Sequence, residues 1–283
     1  ATVLANGGSG AYLYSWSNGD LTATANALAA GNYDVTVTDA NGCSTSASVS
    51  VTQPSSLAVV NASTDVTCFN GSDGSASVNV NGGNAPYSYL WSNGDITSQL
   101  NNISAGSYTV TVSDANGCTL TTLISLINPS PVSIISTSIT QPLCNNSSTG
   151  SITVGASGGT GAFIYTLLPS GATNVTGIFL SLSAGNYTVQ LVDGNNCSVS
   201  TTIALLNPNA MSWNTFSTTL VTCNNGNDGA IQTSANGGTG TLTYTLQPTL
   251  STNTSGNFTS LIAGVYTLVA TDANGCTLSS IAT

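Results

Sequence analysis

One landmark recurs at nearly constant spacing and constrains the fold more than any other feature. The tripeptide Asn-Gly-Cys ends at Cys43, Cys118 and Cys276, and the variant Asn-Asn-Cys ends at Cys197. The steps between these cysteines are 75, 79 and 79 residues. A second cysteine series, Cys68, Cys144 and Cys223, advances by 76 and 79. Gly-Gly pairs at Gly7-Gly8, Gly82-Gly83, Gly158-Gly159 and Gly237-Gly238 keep the same phase, as do Gly-x-Tyr turns at Gly31, Gly106, Gly185 and Gly264. Internal repetition at a fixed period means one folding unit used several times. Breaks at Gln53-Pro54, Asn128-Pro129 and Asn207-Pro208 divide the chain into repeats 1–54, 55–129, 130–208 and 209–283. The first has a late cysteine and no early one. The sequence is therefore expected to be a piece of a longer chain, with the partner of Cys43 outside it.

Within a repeat the apolar period is two, which signals strands. Ala76, Val78 and Val80 alternate with Ser and Asn, and Tyr108, Val110 and Val112 alternate with Thr and Ser. Polar punctuation falls every 8–12 residues or so, the rhythm of a sandwich. Runs rich in Thr, Val, Ser and Gly disfavour helices. The expected fold is all-β: tandem immunoglobulin-like β-sandwich repeats of about 75–79 residues. Asp-Ala-Asn-Gly is expected to close a hairpin through a type I′ turn. Asp39, Asp114 and Asp272, with Asp193 in the same place, are expected to accept N–H bonds two residues on.

Composition removes whole classes of function. There is no Lys, Arg, His or Glu, and all ten acidic residues are Asp, so the net charge is −10. Nucleic-acid binding needs cations against phosphate, and none is available. A basic membrane-surface patch fails for the same reason, and no segment is apolar for the roughly 18 residues of a membrane helix. No catalytic residue is expected, since His, Lys and Glu are missing as acids or bases and no paired Asp is evident.

The order Cys68, Asp73-Gly74, Pro86-Tyr87, Trp91, Ala105-Gly106 and Asp114 to Cys118 resembles the SprB-type repeat, and similar landmarks run through essentially the whole chain. Repeats three and four carry Leu167 and Leu246 where the first two carry Trp16 and Trp91. The resemblance implies a very large cell-surface adhesin of Bacteroidetes, with gliding motility among its uses. It implies export by type IX secretion and an extracellular or cell-surface location.

In a secreted chain, seven cysteines imply disulfides. Cys68, Cys118, Cys144, Cys197, Cys223 and Cys276 are the candidates. Pairing within repeats joins Cys68–Cys118, Cys144–Cys197 and Cys223–Cys276, each worth about 4 kcal/mol by chain entropy. Against it, an immunoglobulin-like topology puts early and late cysteines at opposite ends of a sandwich. An early cysteine would then meet a late cysteine of a neighbouring repeat. Pairing within a repeat is the preferred expectation.

Calcium is the one cofactor weighed. Asp73, Asp114, Asp228 and Asp272 lie in turns beside Asn and Gly, where hard cations find oxygen ligands. The spacing lacks the carboxylate density of a calcium loop, so turn-capping is preferred. Tyr12, Tyr14, Trp16, Tyr87, Tyr89 and Trp91 could stack on sugars, yet their alternation reads as core. Trp213, near Met211 and Phe216, also reads as core, with contact to a neighbouring repeat as the alternative. The Thr pairs 36/38 and 109/111 read as exposed strand positions rather than an ice-binding array. The expected role is a disulfide-stapled stalk whose partners are its neighbouring repeats. Alternatives are a homo-oligomeric filament for attachment or capture, and a module binding a surface or glycan directly.

Overall fold

Strict alternation along each segment puts every second side chain on one face, and the computed structural model, which describes residues 1–283, builds strands from all of these runs. There are twenty-three strands and no helix. The chain divides into two compact units, Ala1–Thr64 with Ser75–Leu126, and Asp65–Gly74 with Ile127–Thr283.

In the first unit, β1 (Leu13–Trp16), β2 (Gly31–Thr38) and β3 (Ser44–Val51) form one antiparallel sheet. Trp16, Val35 and Val37 bury against Ala25 beneath it. The next strands are β4 (Ala58–Thr64), β5 (Gly74–Asn81), β6 (Ser88–Trp91), β7 (Gln99–Ile103), β8 (Gly106–Ser113) and β9 (Thr119–Leu126). They form two sheets, β4-β5-β7 and β6-β8-β9. Ala76, Val78 and Leu100 from the first meet Trp91, Val110, Val112, Ile124 and Leu126 from the second in one core.

The second unit repeats this plan twice. First come β10 (Ser133–Thr140), β11 (Gly150–Ser157), β12 (Ile164–Leu168), β13 (Ala172–Asn174), β14 (Ile178–Leu182), β15 (Gly185–Val192) and β16 (Ser198–Leu205). Then come β17 (Ser212–Thr219), β18 (Gly229–Asn236), β19 (Thr243–Gln247), β20 (Ser251–Asn253), β21 (Asn257–Leu261), β22 (Tyr266–Thr271) and β23 (Thr277–Ala282). The sheets are β10-β11-β14 facing β13-β12-β15-β16, and β17-β18-β21 facing β20-β19-β22-β23. Each pair of sheets is an immunoglobulin-like sandwich.

The two sequence subtypes fill the same core differently. Trp91 sits opposite Val110, and its indole N–H donates to the Thr97 carbonyl at 2.7 Å. Leu167 and Leu246 take that position in the later repeats, paired with Val189 and Leu268. Their lost volume is matched one strand away, where Phe179 and Phe258 replace Leu100. The Trp turn gives way there to a short hairpin, β12–β13 or β19–β20.

The aromatic residues weighed for sugar stacking belong to the cores. Trp16 and Trp91 are buried, and Tyr12, Tyr14, Tyr87 and Tyr89 pack half-buried against them. Trp213 also joins its own repeat's core, stacking on Tyr244 with centroids 6.3 Å apart and meeting Phe216 edge-on at 5.8 Å. Its indole nitrogen is buried without an acceptor. An orphaned buried donor costs about 1–3 kcal/mol, so Trp213→Phe removes that cost along with some packing. The expected change in melting temperature is within about 3 °C, read by calorimetry. A fall above 10 °C would mean that the indole has an essential contact.

Candidate functional site: the inter-repeat junctions

The hairpin turns after β2, β8, β15 and β22 share one design. The Asp39, Asp114 and Asp272 carbonyls accept the N–H of Gly42, Gly117 and Gly275, and that of Asp193 accepts from Asn196. Only this last residue has positive φ: Gly42 at 86°, Gly117 at 79°, Asn196 at 65° and Gly275 at 83°. The turn is therefore not the expected type I′, which needs two such residues; it is a type I turn followed by one left-handed residue. The Asp side chain explains the choice. One oxygen accepts N–H bonds two and four residues on, as Asp193 does from Asn195 and Cys197 at 2.9 Å each. That chelation needs helical rather than left-handed geometry at the intervening residues.

The second oxygen reaches further. It accepts the N–H of Ser9, Asn84, Thr160 or Thr239, just beyond the Gly-Gly pair of the same repeat. Gly83 and Gly159 show why glycine stands there. Each has left-handed φ, at 63° and 61°, and a Cβ would come within 2.9 Å of Asp114 or 2.7 Å of Asp193. Each Asp thus ties its turn to the loop in front of it.

Burial of Asp114, Asp193 and Asp272 raises their carboxyl pKa, but the converging N–H donors outweigh it and hold all three below the ordinary value. At Asp39 the Cys43 N–H leads the lowering. A carboxyl whose pKa is lower folded than unfolded adds stability that is complete above its unfolded value. That stability is lost as pH falls through the folded value. The melting temperature is expected to be flat from pH 8 to about pH 5 and to drop below about pH 4. Calorimetry across pH checks this, and a fall that begins above pH 6 would contradict it.

Behind each early cysteine lies a second conserved design within the chain. The Thr67 N–H donates to Asp73 and the Thr67 hydroxyl bonds it too; Thr222 does the same to Asp228. Thr149 takes the acceptor role for the Leu143 N–H at 2.7 Å. Asn70, Asn146 and Asn225 follow two residues after the cysteines with φ of 58°, 60° and 61°.

The two designs meet at the junctions. Cys68 is bonded to Cys197, and Cys144 to Cys276, with Cα separations of 5.6 and 5.5 Å. The preferred expectation of pairing within a repeat is thereby replaced, since an early cysteine joins the late cysteine of the following repeat. The reason is the topology. Cys144 lies in the loop that leads into Gly150 at the start of β11, which packs against Leu182 and Leu205, whereas Cys197 follows Val192 at the far end of β15. An eight-residue strand is about 26 Å long, and a disulfide spans less than about 7 Å between Cα atoms. Cys118, which the sequence reading paired with Cys68, is free and exposed, as are Cys223 and Cys43.

Hydrogen bonds accompany each disulfide. The Asn195 amide donates to the Thr67 carbonyl at 3.1 Å, and the Asn274 amide to the Leu143 carbonyl at 3.2 Å. The Asn70 and Asn146 N–H groups donate to the Asn128 and Asn207 side chains at 2.9 Å each. Ile127 N–H reaches Asp65, and Leu206 N–H reaches Gln141. The Asn of the Asn-Pro break, read in sequence only as punctuation, is thus half of a clamp.

No group of three or more His, Cys, Asp or Glu side chains converges anywhere in the structure. Of the four calcium candidates, Asp73 and Asp228 accept bonds from Thr67 and Thr222, while Asp114 and Asp272 accept three N–H groups each. A cation at either of the latter would have to displace those donors. No helix is long and apolar enough to cross a membrane.

Residues 60–96, 136–172 and 215–249 match the SprB repeat family model. Each match holds an early cysteine but not the late turn, and the three together cover less than half of the chain. No curated protein sequence matches the chain significantly. Among solved structures, the chain is similar to the N-terminal eight Ig domains of Down Syndrome Cell Adhesion Molecule. That match has 14% identity and a TM-score of 0.38, covering 95% of this chain and 42% of that one. It is also similar to protocadherin gammaB7 EC3-6 in its cis-dimer structure, at 15% identity and TM-score 0.31, covering 96% and 92%. The S-layer protein rSbsC(31-844) matches at 12% identity and TM-score 0.26, covering 95% and 49%. The chain thus spans less than half of the first and third of these.

Proposed function

We propose that this chain is a non-enzymatic spacer of a secreted or cell-surface protein, an extended stalk of immunoglobulin-like repeats 1–54, 55–129, 130–208 and 209–283 in which the last three are coupled covalently. The observation that carries this is the pair of disulfides that join the early cysteines Cys68 and Cys144 to the late cysteine of the following repeat. A bond inside a repeat stabilises that repeat alone, whereas a bond across a junction restrains how one repeat moves on the next. That is the property a spacer under tension needs. The lack of His, Lys, Arg and Glu supports a role without catalysis. The SprB-type repeats support an origin in a large Bacteroidetes adhesin exported by type IX secretion, with attachment or gliding as its use.

Solution scattering of the oxidised and reduced chain tests the coupling. The stalk reading expects a narrow distribution of long dimensions that broadens on reduction, with each repeat still folded. An unchanged distribution after both disulfides are reduced would remove the coupling from the account.

A further inference from the structure

Exposed segments outside regular structure are where proteases nick a chain. Two such segments, 127–132 and 206–211, link successive repeats and lie outside any strand. Ile127 and Leu206 are exposed there, as are Pro131 and Asn209. Disulfides confined within repeats would leave each linker as the single covalent track between neighbouring sandwiches, and one cut would part them. The crossed bonds change this. Cys68–Cys197 makes one node and Cys144–Cys276 a second. Three stretches of backbone run between the two nodes: 68–144, 144–197 and 197–276, of 76, 53 and 79 residues. The first contains linker 127–132 and the third contains linker 206–211. Either linker can be cut while two tracks still join the nodes. All three tracks must be cut before residues 1 and 283 separate.

The linkers are also anchored on both sides of their exposed residues. Asn128 and Asn207 side chains accept the N–H of Asn70 and Asn146 at 2.9 Å each, and the Pro208 carbonyl accepts from the Asn145 amide at 2.8 Å. The Ser130 and Asn209 carbonyls accept the N–H of Gly159 and Gly238. Just beyond, β10 and β17 pair along their length with β11 and β18. A cut after residue 131 or 209 therefore falls between two fixed ends.

We propose that the crossed disulfides give this chain a further function: they keep its ends joined and its sandwiches folded after an endopeptidase cuts a linker. This deepens the spacer reading and rests on its disulfide connectivity. Hydrolysis adds one water across the peptide bond, leaves a carboxylate and an ammonium in the linker, and touches neither disulfide. The cut pieces stay tethered, so contacts between them re-form within one molecule at high effective concentration.

The lack of Lys and Arg makes the cut controllable, because Asn209→Lys or Pro131→Lys in the whole chain introduces the one bond that trypsin can cleave. Non-reducing peptide mapping of the uncut chain, with free thiols blocked, comes first. Absence of the Cys68–Cys197 and Cys144–Cys276 peptides would overturn the spacer reading and this inference together. With both bonds present, trypsin-cut Asn209→Lys is expected to run as one species on a denaturing gel without reductant. Reduction is expected to split it into 1–209 and 210–283. The oxidised cut chain is expected to melt within about 5 °C of the same variant uncut. Held by its two ends in optical tweezers, it is expected to keep its tether at forces the uncut chain withstands and to release it in dithiothreitol. Cut Pro131→Lys is expected to behave alike, splitting into 1–131 and 132–283 only on reduction. Adding Cys144→Ser to Asn209→Lys is expected to let the fragments separate without reductant. A cut chain that keeps both bonds but melts more than about 5 °C lower, or parts under those forces, would overturn this inference and leave the spacer reading standing.

Discussion

Replacing Cys144 with serine is expected to lower the melting temperature of the second compact unit by up to about 20 °C. The bond to Cys276 closes a separation of 132 residues. A loop of that length is worth at most about 5 kcal/mol in chain entropy, and a domain of 150–250 residues shifts by about 2–4 °C per kcal/mol. Cys223→Ser is the matched control, because that cysteine is exposed and free. It is expected to change the melting temperature by less than about 1 °C. Calorimetry of both variants under non-reducing conditions separates this account from pairing within repeats, in which both substitutions would break a disulfide and destabilise the chain alike.

Trp91→Ala is expected to cost about 3–5 kcal/mol, the usual range for emptying a buried Trp site. Trp91 is 2% exposed and fills the space between both sheets of its sandwich. Its indole N–H also satisfies the Thr97 carbonyl, which the substitution leaves open. The later repeats suggest a compensated alternative. They set Leu167 with Phe179, and Leu246 with Phe258, where this repeat sets Trp91 with Leu100. Trp91→Leu with Leu100→Phe is therefore expected to be more stable than Trp91→Leu alone, by a coupling of about 1–2 kcal/mol for residues that share one core. Chemical denaturation of the double-mutant cycle measures it, and purely additive effects would mean that the two volumes are not exchanged.

Much of the fold is legible in the sequence because sandwich strands alternate. The runs at Ala76–Val80 and Tyr108–Val112 give both the strands and the inward face, and burial follows that alternation along β5 and β8. The Gly-Gly pairs and the Asp turns also stand out as landmarks. What joins them does not. That Asp193 reaches Thr160 beyond Gly159 depends on which loop folds in front of the turn, and no local pattern states it. The turn type is hidden for the same reason, since Asn-Gly alone suggests two left-handed residues and the Asp chelate permits one.

Cysteine connectivity is the largest gap. Seven nearly periodic cysteines fit pairing within or between repeats equally well by spacing. The deciding fact is that early and late cysteines occupy opposite ends of a sandwich, which follows from strand order. The clamp residues Asn128 and Asn207 were visible as Asn-Pro breaks, but their partners Asn70 and Asn146 lie some 60 residues away. Only the two-junction repetition of the contact gives them meaning.

The central claim is that disulfides run between repeats, and digestion before Asp without reduction tests it most directly. The cysteines fall on peptides 39–64, 65–72, 114–192, 193–227 and 272–283. Pairing across the junctions yields two separate linked species, 65–72 with 193–227 and 114–192 with 272–283. Pairing within repeats would instead chain 65–72, 114–192, 193–227 and 272–283 into a single four-peptide species, and finding that species would contradict the account.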